Sequence, residues 1–186
     1  MAKLALHGLV FRDALTGLFN RRHFDRELAL QWQQAPRKDD RGFLAIVMVD
    51  VDAYKSYNDH YGHQRGDDCL RTIAQTIASS AMRPADVVAR YGGEEFALIL
   101  KDSDEEGALV VAERIRRAVE NLRIPHLACS IGVVTVSLGV AVQRPGEGDD
   151  GSGVVAAADR ALYAAKRQGR NRTCVAHADD VQGVWT

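Results

Sequence analysis

Arg90-Tyr91-Gly92-Gly93-Glu94-Glu95-Phe96 stands between two apolar runs, Val87-Val88-Ala89 before it and Phe96-Ala97-Leu98-Ile99-Leu100 after it. Two short β-like runs joined through Gly-Gly read as a hairpin. The glycines admit positive φ and carry no side chain, so a ligand or another backbone can approach closely. Two adjacent carboxylates, Glu94 and Glu95, follow that open turn. Acids beside a bare backbone turn suit a hard divalent cation carrying a phosphate-rich ligand. The segment also reads as a plain hairpin with two solvated acids, because short motifs match by chance.

Upstream, Phe43 to Val49 is a continuous apolar run rich in β-branched residues, the pattern of a strand buried on both faces, and it stops at Asp50. Ligand crevices of α/β sheets commonly lie outside the carboxyl ends of such strands. Asp50 there can bind Mg²⁺, with the Val51 carbonyl as a further oxygen donor. Asp50 could instead cap the following turn. Asp52 is expected to structure that turn rather than to ligate. Strict alternation would put Glu94 and Glu95 on opposite faces, so both can ligate only where the backbone leaves regular β geometry beside the glycines.

The remaining periodicity is helical in four places. Residues 20–34 carry Phe24, Leu28 and Trp32 at helical spacing, with Asn20 as N-cap. Pro36 and the charged run 37–42 are expected to end it in a solvated loop. Residues 65–80 present Leu70, Ile73, Ala74 and Ile77 as one stripe. Residues 104–121 should turn Leu109, Ala112, Ile115, Ala118 and Val119 inward. Strands are expected near 126–131, 133–142 and 172–175, with a mobile Gly- and Asp-rich loop over 146–153. The last helix covers 154–168 and stops at Gly169. The order β-α-β-β-α-β, with extra elements, gives an α/β domain, an α+β sandwich around a central mixed sheet.

The chain has 186 residues, 46% hydrophobic and 26% charged, with a formal net charge of -1. That is enough for one domain with a sizeable core. The charge balance gives no global attraction to a nucleic acid polymer or an anionic membrane, so phosphate binding must come from local groups. Cys69, Cys129 and Cys174 match no zinc or CxxC pattern, which fits a reducing compartment and an expected cytoplasmic location. No stretch is long enough to span a membrane, and no membrane contact is expected from this chain. Residues 1–12 read as a linker or connecting helix, 13–175 as the single folded domain and 176–186 as a polar tail.

The central heptapeptide resembles the signature of the GGDEF family, the diguanylate cyclases, in its Gly-Gly-Glu-Glu-Phe form. Further segments resemble the family in the same order. These are Asp13-Ala14-Leu15-Thr16-Gly17-Leu18-Phe19-Asn20-Arg21-Arg22, Asp50 to Asp59, Gly62-His63-Gln64-Arg65-Gly66-Asp67, Thr135 to Ala141, Ala158 to Lys166 and Gly169-Arg170-Asn171. The resemblance implies a palm-like nucleotide cyclase fold. It implies condensation of two GTP into cyclic di-GMP and two pyrophosphates across a homodimer of domains. Two Mg²⁺ ions per GTP site, with Mn²⁺ as an alternative, would sit on Asp50, Val51, Glu94 and Glu95. Glu94 would also help to deprotonate the attacking hydroxyl.

By the same resemblance Asn58 and Asp67 read guanine. An amide offers donor and acceptor together, and a carboxylate accepts from the guanine N1–H and 2-amino group. Tyr54 stands where the family usually has Phe, so its hydroxyl needs a partner. Lys166 and Arg170 contact the triphosphate, sharing a helix face if the helix persists that far, and Lys55 braces the site. Arg83-Pro84-Ala85-Asp86 resembles the family's RxxD inhibitory site, with Arg114 as a second cation for the cyclic dinucleotide. Both groups also read as surface charges worth little energetically. The competing reading is a catalytically silent receptor for GTP or cyclic di-GMP acting through a protein partner. The presence of Asp50, Glu94, Glu95, Asn58 and Asp67 together favours an enzyme.

Overall fold

Alternation along β2 (Leu44–Val51) divides the core into two layers. Ala45, Val47, Val49 and Val51 face one layer, while Leu44, Ile46 and Met48 face the other. The computed structural model describes residues 11–34, 42–81, 83–146 and 150–176. The expectations for Pro36 and the charged run up to Arg41, for most of the two terminal segments and for 147–149 therefore lie outside the described residues.

Eight strands and five helices are described: β1 (Phe19–Asn20), α1 (Arg21–Gln34), β2, α2 (Tyr54–Tyr61), α3 (His63–Ser80), β3 (Val87–Gly92) and β4 (Glu95–Lys101), then α4 (Glu105–Asn121), β5 (Pro125–His126), β6 (Gly132–Val133), β7 (Val136–Gln143), α5 (Ser152–Arg167) and β8 (Thr173–Val175). Six strands form one sheet in the order β1-β3-β4-β2-β7-β8, and β5 pairs with β6 separately. β2 lies antiparallel to both β4 and β7, while β1–β3 and β7–β8 are parallel, so the sheet is mixed as the sequence implies.

One face of the sheet packs against α3 and α4 through Leu70, Ile73, Ile77, Ala112 and Ile115. The other packs against α1 and α5 through Phe24, Leu28, Trp32, Val154 and Leu162. α5 lies so close to β7 that a Cβ on Gly139 would overlap the backbone at Ala158 and Leu162. The Asn20 side chain accepts from the His23 amide at 3.1 Å, the expected cap of α1.

Several expectations need correction. Tyr54–Tyr61 is a helix that the periodicity did not show, because it lacks a long apolar stripe. The inward stripe of α4 is Ala108, Ala112, Ile115 and Val119, whereas Leu109 is exposed and Ala118 only partly buried. The segment 126–131 is chiefly turn, and only Pro125–His126 pairs as strand. β2 runs one residue past Asp50, to Val51, and α5 begins already at Ser152. Among the described residues no helix is long and apolar enough to cross a membrane.

Candidate active site

Asp50 lies directly opposite Glu95 in the β2–β4 register, so both side chains stand on the sheet face covered by α1 and α5. From the last turn of α5, Lys166 Nζ reaches Asp50 Oδ2 at 2.8 Å. Burial pushes the Asp50 carboxyl up to about 6, with the hydrogen bond and charge of Lys166 opposing and the charges of Glu94 and Glu95 adding to the rise. The three carboxylates are thus close enough to feel one another. Among the described residues, no group of three or more His, Cys, Asp or Glu side chains is already gathered as a metal cage. The donor set is nonetheless all oxygen, and a buried carboxylate with a raised pKa beside two more acids is short of positive charge. That chemistry fits a hard divalent cation.

The Gly-Gly turn resolves the alternation problem. Gly93 takes φ +46°, and the β3–β4 register shifts between Arg90 and Gly92. Glu95 therefore opens β4, whereas Glu94 stays in the turn, where its carbonyl accepts from the Val51 amide at 3.3 Å. Arg90 fastens this turn from behind. Its Nε donates to the Gly93 carbonyl at 2.8 Å, and its Nη1 donates to the two Asp13 oxygens at 3.1 and 3.2 Å. Burial alone would raise the Asp13 carboxyl. Hydrogen bonds from the Thr16 hydroxyl and amide and from Arg90 outweigh it and hold the group below the ordinary range. Neither Asp13 nor Arg90 had been singled out from the sequence, although both stand in quoted motifs.

Asn58, Asp67 and Tyr54 come together where α2 meets α3. Asn58 Oδ1 is shielded from solvent and has no hydrogen-bond partner. Burial raises the Tyr54 phenol, a hydrogen bond from Asn58 opposes this, and the nearby Asp67 charge adds to it. Gly66 makes the fit possible, since a Cβ there would overlap Asn58 Oδ1. Lys55 is exposed on the same short helix.

Lys166 is on α5, but Arg170 is not, because the helix ends at Arg167. The expected shared helix face is therefore absent. Gly169, Arg170 and Asn171 instead take φ values of +119°, +63° and +46°. A left-handed conformation costs a non-glycine residue about 1 kcal/mol or more, so the loop needs outside support. Buried Asp52 supplies part of it. Its carboxylate accepts from Thr135 Oγ1 and Ser137 Oγ, each at 2.7 Å, and from the Asn171 amide at 3.1 Å. This set agrees with a structural role for Asp52.

A second group lies at the other end of β3. Arg83, Asp86 and Arg114 line one cavity of about 390 Å³ together with Ser103, Gly107 and Val110. Arg83 Nη1 donates to Ser103 Oγ at 3.4 Å, and Arg114 Nη1 to the Ser80 carbonyl at 3.1 Å. Burial raises the Asp86 carboxyl against the amide and charge of Arg83. At a rise of about 3.3 Å per residue, β3 sets this cavity roughly 20 Å from the Gly-Gly turn.

Known proteins resemble this chain along most of its length. The family model described as "Diguanylate cyclase, GGDEF domain" matches residues 10–172. The probable diguanylate cyclase DgcT of Escherichia coli K12 is 38% identical over 90% of this chain and 36% of its own length. Diguanylate cyclase A of Treponema denticola is 43% identical over 69% of this chain and 34% of its own length. The chain thus spans about a third of either relative. Among solved structures, the coiled coil and GGDEF domain of DgcB from Caulobacter crescentus, in complex with c-di-GMP, superposes with a TM-score of 0.83. It is 34% identical, with 94% of this chain and 90% of that one covered.

Proposed function

The chain belongs to the GGDEF family of diguanylate cyclase domains, and from that premise we propose that it condenses two GTP molecules into cyclic di-GMP and two pyrophosphates. The observation that carries this reading is Asp50 paired across the strands with Glu95, within reach of the Glu94 charge, with Lys166 reaching in from α5. Asn58 and Asp67 take the guanine. The unpartnered Asn58 Oδ1 is an acceptor waiting for a donor, and Asp67 accepts from the N1–H and 2-amino group. Adenine lacks that donor pair and would leave the acceptors unpaired.

Lys166 and Arg170 bind the triphosphate, and Lys55 braces its exposed side. Asp50, the Val51 carbonyl, Glu94 and Glu95 would hold two Mg²⁺ ions, or Mn²⁺ in their place, which supply positive charge at the α-phosphate and the leaving pyrophosphate. Glu94 takes the proton of the attacking 3′-hydroxyl. Each 3′-oxygen forms a bond to the α-phosphorus of the other nucleotide as the bond to pyrophosphate breaks. Because the product is two-fold symmetric, two domains meet face to face, and the homodimer is the catalytic unit. Arg83, Asp86 and Arg114 bind the cyclic product in their cavity and restrain turnover. The free cysteines and the use of GTP suit the cytoplasm.

Incubation with GTP and Mg²⁺ over a protein dilution series tests the proposal. Cyclic di-GMP should form at a rate per molecule that rises with protein concentration. A flat rate at dilutions where the protein is monomeric would remove the dimer requirement. Absence of the cyclic dinucleotide at every concentration would favour the silent receptor.

A further inference from the structure

The left-handed loop that carries Arg170 is gripped by one face of α4. Arg116 Nη1 donates to Asn171 Oδ1 at 3.0 Å and to Glu120 Oε2 at 3.0 Å. The Asn171 amide nitrogen donates to Glu120 Oε1 at 2.9 Å, which closes a three-membered ring of side chains. A second pair extends it, since Arg116 Nε donates to Glu113 and Thr173 Oγ1 donates to Glu113 Oε1 at 2.7 Å. With its backbone amide on Asp52, Asn171 has both side-chain groups and its main-chain donor engaged.

Arg170 shows the opposite pattern. Its backbone is fixed by bonds to Ala165 and Arg172, while its guanidinium has no partner among the described residues. A residue held in the left-handed region with a free cationic end is preorganised for an anion that the chain itself does not supply.

We propose that Glu120 and Arg116 are positioning residues for the nucleotide triphosphate. Acting through Asn171, they hold the loop that presents Arg170 opposite Lys166. The inference rests on the GTP reading above and deepens it. Neither residue touches the substrate, and both act by preventing the loop from relaxing to ordinary negative φ, which would turn Arg170 away.

Calorimetric binding of 3′-deoxy-GTP with Mg²⁺ tests this without turnover, because that nucleotide cannot cyclise. Arg170→Ala and Glu120→Ala should each weaken binding about tenfold, the scale of one charge-assisted phosphate contact. The double variant should be no weaker than Arg170→Ala alone, since both changes remove the same contact. Glu120→Gln keeps an acceptor for Asn171 and should recover most of the affinity. A purely structural Glu120 would lower the melting temperature and leave nucleotide affinity unchanged. That result, or full additivity in the double variant, would overturn the proposal. A wild type that binds 3′-deoxy-GTP but makes no cyclic di-GMP from GTP would overturn the cyclase reading while leaving the positioning role standing. A wild type that does not bind the analogue would overturn both.

Discussion

Lys166 Nζ lies 2.8 Å from Asp50 Oδ2, an ion pair between the last turn of α5 and the end of the central strand β2. Burial pushes the Asp50 carboxyl up to about 6, with the Lys166 ammonium opposing the rise and the charges of Glu94 and Glu95 adding to it. The pair leaves this corner of the sheet loaded with negative charge, ready for a cation.

That loading has a pH signature. Folding raises the Asp50 pKa from 3.8 to about 6, so between those values the folded state binds more protons than the unfolded one. Stability attributable to the group is full below the unfolded pKa and is lost as pH rises through the folded one. The loss is on the order of 2 kcal/mol. In metal-free buffer, the melting temperature of Asp50→Asn minus that of wild type should climb by about 4–8 °C between about pH 4 and about pH 7. A difference that stays flat would show that Asp50 titrates normally.

The Asp13–Arg90 pair predicts a link between the segment before β1 and the Gly-Gly turn. Arg90 holds the Gly93 carbonyl and both Asp13 oxygens at once. Arg90→Ala should cost about 1–2 kcal/mol in urea unfolding, and Asp13→Ala a similar amount. The double variant should cost less than the sum. Additive losses would mean that the two residues act independently.

Gly66 sets the position of Asn58, because any Cβ there would overlap Asn58 Oδ1. Gly66→Ala should reduce the preference for GTP over ATP by at least about tenfold in competition binding, with a smaller change in ATP affinity itself. An unchanged preference would remove Asn58 from base selection.

The cavity at Arg83, Asp86 and Arg114 predicts a product site separate from the carboxylate cluster. Arg83→Ala or Asp86→Ala should weaken cyclic di-GMP binding about 10–100-fold and leave 3′-deoxy-GTP binding unchanged. Equal losses for both ligands would mean that a single site binds both.

Much of this was legible along the chain. The Gly-Gly hairpin, the buried strand ending near Asp50 and the Phe24-Leu28-Trp32 stripe are local patterns, and local patterns survive folding. The Asp52–Asn171–Glu120–Arg116 network was not legible, because its members lie on separate elements and meet only when α4, β7 and the loop after α5 converge. The i, i+4 spacing of Lys166 and Arg170 would give a shared helix face only if the helix ran past Gly169, and the chain turns left-handed there instead. Leu109 was placed inside by its hydrophobicity, yet the close packing of α4 on the sheet admits Ala108 at that level and leaves the larger side chain outside. The helix Tyr54–Tyr61 escaped notice because its buried residues are two tyrosines amid polar neighbours.

The most direct measurement is product identification by chromatography and mass after incubating wild type and Glu95→Ala with GTP and Mg²⁺, each first stripped of bound nucleotide. The account predicts cyclic di-GMP and pyrophosphate from the wild type, none from the variant, and none from the wild type once a chelator removes the metal. Wild type that binds GTP but forms no cyclic di-GMP at high protein concentration, or a Glu95→Ala variant as active as wild type, would contradict it.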